Sequence, residues 1–239
     1  YSTGSPANNT LIQQLHDQGK PVVLLDRFVP GAMDNLSWVT SDNERGAFEM
    51  TRHLLELGHE RIGLFIRTPD DAQINTLVER EQGYLRAMKE AGLDPMLMKK
   101  CGVPDNLLST TALGQDLIEF IITRQPTAIF FHNDASAYRM HSVLNQYGIR
   151  VPQDVSIAGF DGLELFFDLL TFELTTVQQD FAGLGHEVGE LVVSLMKNPT
   201  RRPKHISLPV TLRMGNTTAP PRGEVESRLL NPQLLDSAQ

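Results

Sequence analysis

The chain has 239 residues, 21 Lys+Arg against 29 Asp+Glu, and a formal charge of −8. That length suits one large domain or two modest ones and buries a sizeable core without disulfide or metal staples. The single cysteine, Cys101, excludes a disulfide framework and a multi-cysteine zinc site. The acidic balance speaks against nucleic-acid contact by this chain, because phosphate affinity comes from Lys and Arg displacing counterions. No apolar run approaches the roughly 18 residues of a membrane span. The polar start YSTGSPANNT lacks the basic and apolar parts of a secretory signal.

In chain order, short apolar runs alternate with helix-period segments. NTLIQQLHDQG (9–19) is apolar at Leu11, Ile12 and Leu15 and stops at Gly19, as helices commonly do. PVVLLD (21–26) is the first strand-like run. DNERGAFEMTRHLLELGH (42–59) opens with two residues able to cap a helix, Asp42 and Asn43, and reaches Gly58. RIGLFI (61–66) follows, then the helical EREQGYLRAMKEAG (79–92) and LGQDLIEFIITRQ (113–125). TAIFFHN (127–133) and VSIAGFD (155–161) flank the helical DASAYRMHSVLNQYG (134–148), and DFAGLGHEVGELVVSLMKN (180–198) completes the set. Continuous Val/Ile/Leu/Phe runs of this length fit strands buried on both faces. Their alternation with helices predicts an α/β fold with parallel sheets. In the tail (220–239), Leu229, Leu230, Leu234 and Leu235 are split by Pro232, which favours a small apolar patch over a leucine zipper.

The motifs of catalysis are missing. None of the seven histidines has the helical spacing of a zinc site, and Ser156 and Ser194 lack the glycines of a nucleophile elbow. Gly183, Gly185 and Gly189 fit a dinucleotide fingerprint only loosely and lie inside a helical stretch. Neither an enzyme nor a cofactor is expected. Polar residues instead gather just past strand ends: Asp26 and Arg27, Asn133 and Asp134, and Asp161. In open α/β sheets that edge binds ligands. Carboxylates accepting, with Asn and the five-donor fork of Arg80 donating, suit a polar or polyhydroxylated small molecule. Each has a structural alternative: Asp134 as a helix cap, Asp26 and Arg27 as a local ion pair, Arg80 as a solvated helix-start residue.

The stretches H-L-L-E-L-G-H-E-R-I-G (53–63) and V-P-Q-D-V-S-I-A-G-F-D (151–161), with REQGYLRAMKEAGL (80–93), PTAIFFHNDASA (126–137) and LTTVQQDFAGLG (174–185), resemble the LacI/GalR family of bacterial transcription regulators. The resemblance covers roughly residues 10–221 and is to the effector-binding core. It implies a two-lobed periplasmic-binding-protein-like fold with parallel sheets flanked by helices, three crossovers, and an effector held between the lobes. It also implies a cytoplasmic homodimer, with operator DNA gripped by a helix-turn-helix head that is absent from this chain. The N-terminal lobe is therefore expected to be incomplete, with an exposed apolar sheet edge.

Carried over residue by residue, the resemblance implies effector contacts at Arg80, Asn133 and Asp161. Asp42 is implied at the cleft edge beside Asn43, and Thr76, Asn106 and Phe131 in segments that shape specificity, with Asn75 and 105–107 near them. Thr175, Thr176 and Val177 match the hinge. The implied division is 1–57 for the partial N-terminal subdomain and 58–176 for the C-terminal one. Residues 177–203 return to the first, 204–219 form a return strand of the second, and 220–239 are tail. The segment after Asp161 is rich in Phe and Leu where relatives often carry a proline just before L-T-T; its Phe166 and Phe167 are either cleft-lining or else core or dimer surface, the latter favoured, and Tyr138 replaces a usually small residue. The competing reading is a periplasmic sugar-binding component of a transporter, which shares the fold.

Overall fold

The structure is a computed structural model that describes residues 6–28, 31, 33–67, 74–100, 110–163, 172–198 and 202–221. Two sheets organise it. The smaller holds β1 (Val23–Leu25), β2 (Ser37–Ser41) and β8 (His205–Leu208), all parallel, in the order β1-β2-β8. Helix α1 (Pro6–Asp17) and helix α6 (Phe181–Lys197) serve opposite faces of it. Ile12 of α1 packs with Leu24 and Phe28, while Leu184 and Leu191 of α6 pack with Val39, which points the other way along β2. Among the described residues β1 pairs with β2 alone, and Leu25 is 50% exposed.

The larger sheet runs β4-β3-β5-β6-β7-β9, from β3 (Ile62–Arg67), β4 (Met96–Lys100), β5 (Ala128–Phe131), β6 (Ser156–Asp161), β7 (Thr175–Gln178) and β9 (Thr211–Arg213). Only β9 is antiparallel to its neighbour. Alternate residues of one strand face opposite helix layers. Ala128 and Phe130 pack with Ala47, Met50 and Leu54 of α2 (Asn43–Glu56) and Tyr84 and Met88 of α3 (Asn75–Glu90). Ile129 and Phe131 pack with Leu117, Ile118 and Ile121 of α4 (Thr110–Arg124) and Ala137 and Met140 of α5 (Asp134–Gln146). Burial on both faces is why these strands are continuously apolar in sequence.

Helix α2 starts where its side chains dictate. Asp42 is the N-cap, its Oδ1 accepting from Arg45 N at 3.1 Å, and Gly58 takes a φ of 95° just beyond the end. Helices α2 and α3 touch through Gly83, where an added Cβ would strike the Glu44 carbonyl oxygen and stand 2.8 Å from Phe48 N.

Three segments cross between the sheets, at 41–42, 179–180 and 209–210. They are tied together: Asp42 N donates to the Leu208 carbonyl at 2.8 Å, and Ser41 Oγ donates to Gln179 Oε1 at 2.7 Å.

These pairings move the expected boundaries. Residues 43–57 were expected with the N-terminal subdomain, but the apolar face of α2 is buried on the larger sheet, so the first crossing lies at 41–42. The expected return strand in 204–219 is two strands, β8 in the smaller sheet and β9 in the larger. Thr175, Thr176 and Val177, expected as a hinge, are fully buried in β7, and the crossing follows at 179–180. Their polar groups are already committed: Thr175 N donates to Thr217 Oγ1 at 2.9 Å and Thr176 Oγ1 donates to Asp134 Oδ1. The tail beyond residue 221 lies outside the described residues.

Candidate functional site

The C-terminal ends of β1, β5 and β6 and the N-terminal halves of α2 and α3 converge, and the two lobes meet there through Asn75. Asn75 was expected in a specificity loop. It is instead the first residue of α3, fully buried, accepting from Phe28 N at 2.8 Å and donating to the Asp26 carbonyl at 3.0 Å. It fastens the end of β1 to the larger lobe. Thr76, next to it, is buried as well.

Arg80, on the second turn of α3, is 4% exposed. Its guanidinium lies over the Phe160 ring, 3.6 Å from the centroid. Nε donates to Asn43 Oδ1 at 3.0 Å, Nη1 donates to the His132 carbonyl, and Nη2 lies 3.3 Å from Asp161 Oδ1. Burial lowers the pKa of the group, with Asp161 and Asp26 opposing that, and it remains a cation. The solvated reading of Arg80 is thereby excluded.

Asp161 ends β6 with a backbone φ of 131°, a conformation L side chains rarely adopt. Burial pushes its carboxyl up to about 6, against the pull of Arg80. Its Oδ1 also accepts from Gln179 Nε2 at 2.8 Å. Gln179, 5% exposed on the second crossover, thus joins Asp161 to Ser41 on the first. Asn43 plays a comparable part on the other side, donating to Glu79 Oε2 at 3.0 Å and to the Ser41 carbonyl at 2.9 Å. Burial raises the Glu79 carboxyl above its ordinary value.

The remaining expected residues divide. Asp42 caps α2 at the first crossover. Asn133 is the N-cap of α5: its Oδ1 accepts from Ser136 N at 2.8 Å and its Nδ2 lies 3.0 Å from His132 Nε2. Asp134 is fully buried and braces the sheet, with Oδ2 accepting from Leu163 N at 2.8 Å and Oδ1 accepting from Thr176 Oγ1. Phe131 is a correction: it sits at 0% exposure against Phe65, ring centroids 5.2 Å apart, in the α4/α5 layer and away from the convergence. As the last residue of β5 it falls on the face opposite Phe130, by strand alternation. Tyr138 packs on Phe172, and its buried hydroxyl has no partner among the described residues. Asn106, 105–107, Phe166 and Phe167 lie outside the described residues.

Gln179 and His132 were missed as site residues, whereas Asn43 was expected only as the neighbour of Asp42 at the cleft edge. The strand-end rule that singled out Asp161 applies equally to the Gln178-Gln179 pair, which closes β7 beside it. Among the described residues no three His, Cys, Asp or Glu side chains stand together as a metal site.

Residues 51–218 match the family described as periplasmic binding protein-like domain. The chain is 32% identical to the HTH-type transcriptional repressor PurR of Vibrio atlanticus (strain LGP32), over 67% of this chain and 46% of that one. It is 29% identical to the HTH-type transcriptional regulator GalR of Escherichia coli (strain K12), over 87% of this chain and 59% of the other. It spans about half the length of these curated relatives. A LacI family transcriptional regulator from Enterococcus faecium, solved with bound ribose, superposes with a TM-score of 0.76 at 23% identity, covering 92% of this chain and 78% of that one.

Proposed function

Because the chain belongs to the periplasmic binding protein-like domain family, we propose that it is the effector-sensing core of a LacI/GalR-type transcription regulator. A small polar, sugar-like effector binds where the lobes meet and changes how they sit on one another. The observation that carries this is the wiring of the Arg80–Asp161 pair. Through Gln179 and Asn43 it runs directly to the crossovers that join the lobes. A ligand that exchanges hydrogen bonds with Arg80 or Asp161 therefore acts on the inter-lobe segments, and effector and operator bias one equilibrium.

The repressor names of the curated relatives favour a regulator over a transporter component or an enzyme. In the full regulator, operator DNA is bound by a helix-turn-helix head and the chain works as a homodimer in the cytoplasm. No helix among the described residues is long and apolar enough to cross a membrane. The effector contacts belong to Arg80 and Asp161, with Asn133, Asp42 and Thr76 at the margin.

The test is a thermal-shift screen of free sugars, nucleosides and purines, followed by calorimetry on each compound that raises the melting temperature. At least one binds the wild-type chain, and Arg80→Ala abolishes that binding. Unchanged affinity in the variant would contradict the assignment.

A further inference from the structure

We propose that this site selects an uncharged, hydroxyl-donating effector and rejects the phosphate ester or acid form of the same compound. The inference rests on the sensing role above and narrows its ligand class.

Among the described residues, the buried cation of the site is not free for an anion. Arg80 already spends its fork on Asn43, the His132 carbonyl and Asp161, and its face on Phe160. Arg27 stands 3.9 Å from Asp26 Oδ2. Arg213 directs its guanidinium at the carbonyls of Gly162 and Leu163. A phosphate or carboxylate reaching Arg80 would have to displace Asp161, leaving that carboxylate enclosed without its counter-charge.

Acceptors, by contrast, are in excess. Asp26 and Asp161 come from opposite lobes, at the ends of β1 and β6, and both lie within the electrostatic reach of Arg80. The Oδ1 of Asp26 is buried and has no hydrogen-bond partner among the described residues. Asp26 also holds a φ of 64°, a left-handed conformation uncommon outside glycine. A buried carboxylate oxygen lacking a donor fits a ligand O–H, and a hydroxyl brings that donor without adding negative charge.

The experiment is calorimetry with matched pairs: D-ribose against D-ribose 5-phosphate, D-glucose against D-glucose 6-phosphate, D-galactose against D-galactose 1-phosphate. A free sugar is expected to bind at least about tenfold more tightly than its ester. An ester that binds as tightly as its parent sugar, or more tightly, overturns the proposal while leaving the sensing role intact. Silence from every free sugar and every ester overturns the proposal, and silence from the nucleosides and purines as well overturns the sensing role with it.

Two variants carry the assignment to residues, each checked by its ligand-free melting curve. Asp26→Asn, a residue that tolerates the same backbone, is expected to weaken the free sugar by roughly tenfold. Asp161→Asn releases Arg80 and is expected to narrow the sugar-to-ester ratio by a similar factor. A ratio unmoved by Asp161→Asn would show that its hold on Arg80 does not exclude anions, and would sink the mechanism.

Discussion

At the scale of the residue, Asp161 concentrates three unusual properties: a φ of 131°, a carboxyl raised to about 6, and an ion pair with a buried arginine. The raised carboxyl has a definite consequence for stability. Its folded value lies above the ordinary 3.8, so the folded chain holds the proton more tightly than the unfolded one. The contribution of this group is full below about pH 4 and is lost as the pH rises towards 6. Asp161→Asn removes that titration. The melting temperature of the variant relative to wild type should climb across that window and level off above it, and a flat difference from pH 4 to 7 would refute the assignment. Arg80→Ala should do more than silence the effector response. It leaves Asp161 without its counter-charge and Asn43 Oδ1 without the Arg80 donor in a buried setting, a loss of about 3–5 kcal/mol by analogy with broken buried pairs. Denaturant unfolding measures it. A loss below about 1 kcal/mol, in the range of a surface pair, would mean that Arg80 is not held as described.

At the scale of the element, the close approach of α2 and α3 depends on Gly83. A methyl group there meets the backbone of α2, which cannot step aside as a flexible side chain would. Gly83→Ala should therefore destabilise the chain by about 1–3 kcal/mol, although alanine is the better helix former. A gain in stability would contradict the packing. Gln179 belongs to this scale too, because its amide bridges Asp161 to the crossover at Ser41. Gln179→Leu should leave Asp161 and Ser41 without that partner and lower both the melting temperature and the effector affinity. Unchanged affinity by calorimetry would remove it from the coupling path. What the sequence made legible follows the same physics. Strands β3, β5 and β6 stood out because burial on both faces made them continuously apolar, and α2 because its capping Asp42 and its Gly58 bracket it. Strand β2, SWVTS, escaped notice because its polar residues are satisfied by tertiary partners such as Asp26 and Gln179. Strands β8 and β9 were expected as a single return strand because each is short and largely exposed or half-buried, so nothing apolar marks the break between them.

At the scale of the whole molecule, the division into lobes was visible in outline, but its seams were misplaced. Helix α2 follows the first crossing immediately, with a cap at Asp42, so no loop-like composition marks the boundary. The charged pair was legible as candidates, Asp161 because a carboxylate ends a strand and Arg80 as a donor fork on a helix, and their effector contacts belong to the proposal. The site was not legible at Phe131, where alternation turns the side chain into the core, nor at Asn75, whose amide links the lobes. The charge of −8 also changes meaning. Part of it, Asp26, Asp134, Asp161 and Glu79, lies within the electrostatic reach of Arg80, where it fits the proposed ligand chemistry, and the net charge of this core does not rule out a DNA-binding parent. The central claim is that a small molecule acts on the two lobes through this site. Small-angle X-ray scattering, with and without a saturating sugar whose binding calorimetry has established, tests it most directly. The radius of gyration should fall or the scattering profile change on binding in the wild-type chain, and neither should happen in Arg80→Ala. A profile unchanged by a sugar that demonstrably binds the wild-type chain would contradict it.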